Sequence, residues 1–148
     1  MKITKLNKII NKDLIVFDLD GTLAPTKAQM DREMDRLITE LLSVKKVAII
    51  GGGKYELFKH QFLNELTAPK ALYKNLYLFP VTSTTFLRYH SLWKKIYEHK
   101  LLATEIKAIY VAIHKALKDI DYKHPKKTYG QVIDNRGSQI TWSALGQD

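Results

Sequence analysis

Hydrophobic and polar residues alternate along the first half of the chain with the periods of strands and helices. Short apolar runs at 14–17, 47–50 and 76–79 have the length of buried strands. Between them, apolar residues recur every three or four positions, as on one face of a helix. They are Met34, Leu37, Ile38, Leu41 and Leu42 in the first segment, and Leu57, Phe58, Phe62, Leu63 and Leu66 in the second. The alternation predicts an α/β fold with a parallel, Rossmann-like sheet.

The order of predicted strands and helices changes after residue 85. Residues 86–89 and 92–97 predict a hairpin around His90 and Ser91. A long amphipathic helix follows, and then two short strands at 131–134 and 139–143. The apolar face of that helix carries Ile106, Ile109, Tyr110, Ile113 and Leu117. We therefore divide the chain into residues 1–85 and a smaller α/β unit at 86–148.

Composition narrows the functional classes. The chain has 148 residues, 45% of them apolar, which is typical of about one globular domain. It has no cysteine, so disulfides and thiolate metal sites are excluded and a metal ion needs oxygen or histidine ligands. No segment approaches the ~20 apolar residues of a membrane span, and the first residues lack the apolar centre of a signal peptide. We expect a cytoplasmic protein without a membrane partner.

The formal net charge of +9 raises the question of nucleic-acid binding. The lysines are scattered along the chain, and no zinc-finger, recognition-helix or aromatic RNA-binding pattern accompanies them. We therefore expect no specific nucleic-acid partner. The same positive field attracts small anionic metabolites such as phosphosugars.

Two carboxylates follow the first apolar run. Asp18 and Asp20 stand one residue apart before Gly21, and side chains two positions apart in a strand lie on the same side. One carboxylate of such a pair can bind Mg²⁺ and attack phosphorus, and the other can exchange a proton with the leaving oxygen and with water. The alternative is that both acids only cap a turn after a buried strand. Two acids there are costly to desolvate unless something compensates them.

The segment D-x-D-G-T-L at 18–23 resembles motif I of the haloacid dehalogenase superfamily of phosphatases and phosphomutases. The resemblance implies that Asp18 is the nucleophile, that Asp20 is the general acid/base, and that Thr22 holds the turn or contacts phosphate. It also implies that Mg²⁺ binds the Asp18 carboxylate and the backbone carbonyl of Asp20.

Three further segments are similar to the phosphomannomutase-like branch of that superfamily: VAIIGGGKYELFKHQFL, YLFP and VIDNRGSQITWSALGQ. The branch carries an α/β cap inserted between two parts of its core. The resemblance therefore implies that residues 1–85 are the amino-terminal part of the core and that residues 86–148 are part of the cap. It places Lys27 near the sugar phosphate and Arg136 near the distal phosphate. The alternative for Arg136 is a solvent-exposed arginine in a hairpin turn.

The chain departs from the family pattern in two ways. Gly51 stands where the family usually has a serine or threonine that binds the transferring phosphoryl group. The backbone N–H groups of Gly52 and Gly53 could still cradle an anion, and the alternative is a tight turn only. Second, the family's catalytic lysine and later acidic motif lie beyond the cap, and we expect that this chain ends at Asp148 within the cap.

The resemblance thus implies a Mg²⁺-dependent phosphohydrolase that acts on a phosphorylated sugar or a similar small ester through an aspartyl-phosphate. Two alternatives stay open. One is a phosphomannomutase-like phosphomutase, which transfers the phosphoryl group to a second hydroxyl. The other is a truncated, catalytically impaired remnant that acts as a binding protein. A partial sheet would expose an apolar edge and face, so a homo-oligomer is a further hypothesis.

Overall fold

A computed structural model describes residues 11–147 of the protein. The chain contacts divide it into two compact units, with the boundary between Glu98 and His99. The sequence placed a boundary after residue 85, whereas residues 86–98 extend the sheet of the first unit. The assignment of the two parts to a catalytic core and a cap stays a prediction.

The first unit is built on a single five-stranded sheet. The first three strands are parallel, and the last two run antiparallel to their neighbours. The strands lie in chain order across the sheet: β1 (Leu14–Asp18), β2 (Lys46–Ile50), β3 (Leu76–Phe79), β4 (Thr85–His90) and β5 (Leu92–Glu98). This arrangement confirms the α/β fold and the β4–β5 hairpin, in which Ser91 forms the tip with a φ of +64°.

Helical segments connect the parallel strands. Helix α1 (Arg32–Val44) is capped by Asp31, whose carboxylate accepts a hydrogen bond from the Met34 N–H at 2.8 Å. The single helix predicted after β2 is instead a short α2 (Tyr55–Phe58) that continues as a π-helical turn at Lys59–Leu63. A 3₁₀ helix at Lys70–Asn75, which the sequence did not predict, then leads into β3.

The two faces of this sheet differ in burial. The helical segments cover one face, where the hydrophobic core includes the fully buried Leu42, Val47, Ile49, Phe58, Phe62, Leu76 and Leu78. We call the other side, with Leu14, Val16, Tyr77, Phe79 and Phe86, the open face. Leu14 and Val16 are 48% and 57% exposed there. A hollow of about 280 Å³ on this face is lined by Leu14, Lys46, Tyr77 and Phe79, among others.

The second unit contains one helix and one strand pair. Helix α3 spans Ala103–Asp119, and β6 (Gln131–Asn135) pairs antiparallel with β7 (Ile140–Gln147), so the predicted elements are present. The predicted apolar stripe of α3 is half-buried and the rest of the helix is exposed. Among residues 99–147 no side chain reaches full burial.

Each unit holds one tryptophan in an aromatic cluster. Trp93 on β5 lies against Tyr73 and Tyr89, with ring centroids 6.0 and 5.5 Å away. Trp142 on β7 meets Tyr122 edge to face at 5.3 Å. None of the helices in residues 11–147 combines the length and the apolar character that crossing a bilayer requires.

Candidate functional site

The two predicted acids lie at the carboxyl end of β1. Asp18 is the last residue of the strand and its side chain is exposed. Leu19 is 1% exposed and anchors the chain in the core, as the alternation of side chains along β1 requires. Asp20 is half-buried in the turn that follows. A strand fixed on one side by the core thus presents one carboxylate to solvent and holds a second one two residues later.

The turn after β1 is closed by backbone hydrogen bonds. The Leu19 carbonyl accepts the N–H groups of Thr22, Leu23 and Ala24 at 3.3, 3.0 and 3.1 Å. The Gly21 N–H donates to the Ala24 carbonyl at 2.7 Å, and Gly21 has a φ of +74°, which glycine adopts at low cost. Thr22 takes part in this turn through its backbone N–H, and the residue is exposed to solvent.

Asp20 is held by two donors from different parts of the chain. Its Oδ1 accepts the Gln61 side-chain amide at 2.9 Å and the Lys27 backbone N–H at 3.1 Å. Gln61 is fully buried, and Lys27 is exposed with a φ of +57°. The sequence reasoning missed Gln61. The available signal was its place as a polar residue between the apolar Phe58 and Phe62 on the inner side of a helical segment.

The glycine loop after β2 is bound to the loop after β3. The Gly51 N–H donates to the Phe79 carbonyl at 3.3 Å, and the Gly51 carbonyl accepts the Thr82 N–H at 2.9 Å. The Gly53 carbonyl accepts the Val81 N–H, also at 2.9 Å. Val81, Thr82 and the following Ser83 all have positive φ, between 51° and 63°. The glycine loop therefore forms part of a fixed backbone junction, and its predicted contact with phosphate stays a prediction.

The space around Gly51 is limited by a neighbouring aromatic ring. A Cβ atom added to Gly51 would lie 3.2 Å from Cζ of Phe58 and 3.6 Å from Cβ of Leu19. The first distance is shorter than ordinary van der Waals contact, so the neighbouring ring would have to shift. The Phe58 ring therefore restricts the space that a serine or threonine side chain needs at the end of β2.

Arg136 lies in the second unit and is part of a side-chain cluster. Its Nε donates to Oδ2 of Asp134 at 2.8 Å, and one terminal amino group donates to Oε1 of Gln147 at 2.6 Å. The Arg136 side chain is only 13% exposed. This geometry differs from the alternative of a solvated hairpin arginine. The predicted contact of Arg136 with a distal phosphate stays a prediction.

The donor atoms at the end of β1 suit a hard divalent cation. Among residues 11–147, no cluster of three or more His, Asp and Glu side chains could hold a metal ion. The acids available here are Asp18 and Asp20. Mg²⁺ commonly binds one or two carboxylates and keeps several waters or substrate oxygens, so this oxygen donor set fits that ion.

Near the glycine loop, Tyr55 supplies a neutral hydroxyl. Burial raises the pKa of the Tyr55 phenol, and the neighbouring Glu56 carboxylate adds to the rise. Both effects disfavour the phenolate. Tyr55 therefore stays protonated at neutral pH.

No protein-family model matches the chain. Its fold is similar to solved structures of the Plasmodium falciparum IMP-nucleotidase. An IMP-bound mutant of that protein matches with a TM-score of 0.64 and 22% identity, over 93% of this chain and 41% of that one. A C-terminally truncated form matches with a TM-score of 0.62 and 21% identity, over 95% and 48%. An ATP-bound form matches with a TM-score of 0.62 and 22% identity, over 86% and 34%. The chain thus spans less than half the length of these structures.

Proposed function

We propose that this chain hydrolyses small phosphate esters through an aspartyl-phosphate intermediate. The α/β fold expected from the sequence is confirmed, and it is similar to that of an IMP-nucleotidase. The observation that supports the proposal most directly is the geometry at the end of β1. Asp18 is exposed at the strand end, and Asp20 is held by Gln61 and Lys27 two residues later. Placement in the phosphomannomutase-like branch stays a prediction.

The proposed reaction has two steps, each of which uses both acids. In the first, an Asp18 carboxylate oxygen attacks phosphorus, the bond from phosphorus to the ester oxygen breaks, and Asp20 gives its proton to that oxygen. In the second, Asp20 takes a proton from water while the water oxygen attacks the phosphorus of the aspartyl-phosphate. The bond from phosphorus to the Asp18 oxygen breaks, and inorganic phosphate leaves. Asp18 is again a carboxylate and Asp20 is again protonated.

The proposed reaction also requires a magnesium ion. It would be held by the Asp18 carboxylate and the Asp20 backbone carbonyl. When bound, it offsets the negative charge on the phosphate oxygens as Asp18 approaches them. In the first unit, Thr22, Lys27 and the Gly51–Gly53 loop are the proposed phosphate-binding groups. In the second unit, Arg136 is proposed to bind a phosphate group.

The proposed substrate is a small phosphorylated metabolite. The sequence resemblance favours a phosphosugar, and the solved neighbours are structures of an IMP-nucleotidase, with IMP or ATP bound in some of them. The net charge of +9 favours any such anion over a neutral ligand. Both ester classes therefore belong in the substrate panel.

The test is release of inorganic phosphate from hexose phosphates and from IMP, with and without Mg²⁺. We expect Asp18→Asn to lower the rate by about a thousandfold or more, because the nucleophile is lost. Asp31→Asn is the matched control, since asparagine caps a helix as well as aspartate does and Asp31 caps α1. Equal rates for the wild type and Asp18→Asn would reject catalysis by this chain.

Transfer to a sugar hydroxyl instead of water would make the protein a phosphomutase. Release of free phosphate from a hexose phosphate favours the hydrolase. Formation of an isomeric hexose phosphate, detected by ion-exchange chromatography, favours the mutase.

The open face favours a second candidate function, which is association with another copy of the chain. Leu14 and Val16 are apolar and about half exposed on this face. A homo-oligomer that buries these two side chains would stabilise the chain. This function suits the alternative of a catalytically impaired remnant that acts as a binding protein. Light scattering tests this, and we expect Val16→Lys to return an oligomer to monomers. A wild type that is monomeric across the concentration range contradicts it.

A further inference from the structure

We propose that Gln61 is a positioning residue that fixes the orientation of the Asp20 carboxyl group. This inference rests on the proposed phosphohydrolase function and deepens it. Gln61 lies outside the acid motif and 41 residues from Asp20 in sequence, yet its amide nitrogen lies 2.9 Å from Oδ1 of Asp20.

The amide orientation of Gln61 is fixed by two acceptors. Nε2 donates to Oδ1 of Asp20 and, at 3.4 Å, to the carbonyl of Pro25. The reverse orientation would place the amide oxygen against two other oxygens, which cannot donate a hydrogen bond. The Gln61 N–H groups therefore face the turn that contains Asp20.

Gln61 and Lys27 together occupy one oxygen of the Asp20 carboxyl group. Oδ1 accepts an N–H from each of them, which matches its capacity of two lone pairs. The two donors hold Oδ1 and so keep the carboxyl group in one orientation, with Oδ2 as the oxygen that it presents to the ester.

The fold holds Gln61 rigidly in this place. The residue lies in the π-helical turn, where the Asn64 N–H donates to the Lys59 carbonyl five residues back at 2.9 Å. The Gln61 backbone carbonyl accepts the Met30 N–H at 2.8 Å, which ties the turn to the loop that carries Lys27. π-Helical turns inside helices are frequent at functional sites.

An apolar side chain would be the simpler choice for this buried position. Gln61 is 0% exposed, and its Oε1 has no hydrogen-bond partner within residues 11–147. Such an oxygen carries a desolvation cost that leucine or methionine would avoid. The contact with Asp20 gives a reason for a polar residue here.

The leaving group of the ester tests this role. An alkoxide needs a proton to leave, whereas p-nitrophenolate leaves without one. We therefore measure kcat/KM, which reports the step that forms the aspartyl-phosphate, for p-nitrophenyl phosphate and for glucose 6-phosphate. For Gln61→Met we expect kcat/KM to fall about a hundredfold with the sugar phosphate and less than about threefold with the aryl phosphate. His60→Met, an exposed neighbour in the same turn, is the control and should change neither value.

Three outcomes of the kinetic test are informative. A selective loss on the sugar phosphate supports the inference. An equal loss on both esters, or no loss, overturns it while the proposed function stands. A wild type that hydrolyses neither ester overturns both.

A second measurement needs no catalysis and no stable Gln61 variant. The side-chain amide protons of Gln61 are followed by ¹⁵N-resolved NMR in the wild type, in Asp20→Ala and in Asp18→Asn. We expect an upfield shift and faster solvent exchange in Asp20→Ala, and wild-type values in Asp18→Asn. Unchanged signals in Asp20→Ala would show that the contact is absent in solution and would overturn the inference.

Discussion

The helices of the two units carry apolar residues with the same periodicity, but the side chains of these residues are buried to different extents. In the first unit the inner residues of α1, such as Leu42, are fully buried against the sheet. In the second unit the corresponding stripe of α3, including Ile113 and Leu117, is only half-buried. Periodicity therefore identifies the side of a helix that faces its neighbours, and the amount of covering structure determines how much apolar area leaves water.

The difference has an energetic consequence. Burial stabilises roughly in proportion to the apolar area removed from water, so most of the hydrophobic free energy of this chain lies in the first unit. A helix and a two-stranded sheet without fully buried side chains are marginal by themselves. We therefore expect the first unit to dominate the stability of the chain.

The largest expected effect comes from removing one leucine side chain in each unit. Leu42→Ala in α1 should lower the free energy of unfolding by about 2–5 kcal/mol, because it leaves a cavity in a closed core. Leu117→Ala in α3 should cost about 1 kcal/mol, because its half-buried site can admit water. Urea unfolding followed by far-UV circular dichroism measures both, and equal losses would contradict the comparison.

Local sequence patterns were sufficient for most elements of the first unit. The strand predicted at 76–79 is present at Leu76–Phe79, and the one predicted at 47–50 is β2 at Lys46–Ile50. The boundary after residue 85 depended on something that local patterns do not contain. The β4–β5 hairpin was predicted, but its pairing with β3 is a choice of partner across the fold.

The candidate site shows the same division between local and distant information. The acids at 18 and 20 could be placed at the end of β1 because strand length and the glycine turn are local features. Their partner Gln61 could not be found in this way. Its contact with Asp20 depends on a π-helical turn and spans 41 residues.

The next largest effect concerns the packing beside the site. Gly51→Ser adds the hydroxyl that the sequence lacks, and its Cβ meets the Phe58 ring at 3.2 Å. We expect a loss of about 1–3 kcal/mol in the free energy of unfolding from overpacking. Ala112→Ser on the exposed side of α3, which adds a hydroxyl where there is room, should cost less than about 0.7 kcal/mol.

A double-mutant cycle separates overpacking from other causes. In a Phe58→Leu background the smaller side chain leaves room, so the additional cost of Gly51→Ser should fall below about 1 kcal/mol. The same cost in both backgrounds would show that the ring is not responsible. Thermal unfolding of the four proteins gives the interaction free energy.

The smallest expected effect lies at the tip of the β4–β5 hairpin, whose β5 strand is mostly exposed. Ser91 has a φ of +64°, a conformation that costs an L-residue about 1–2 kcal/mol. Glycine relieves this cost but gains freedom in the unfolded chain. We expect Ser91→Gly to stabilise the protein by about 0.5 kcal/mol, measured as a higher urea midpoint.

Thr26→Gly is the control for the hairpin prediction. Thr26 is exposed in a turn and is not among the residues of positive φ, so glycine there should only destabilise, by up to about 1 kcal/mol. If Ser91→Gly also lowers stability, backbone strain at Ser91 does not reduce the free energy of unfolding, and the hairpin prediction is wrong.

The position of the two tryptophans gives the molecule a pair of built-in optical reporters. Trp93 is packed among tyrosines of the first unit, and Trp142 is more exposed in the second. Replacing one indole at a time with phenylalanine leaves fluorescence that comes from one unit only. The emission maximum of the protein that retains Trp93 should be bluer than that of the protein that retains Trp142. The melting of each half can then be recorded separately in the intact polypeptide.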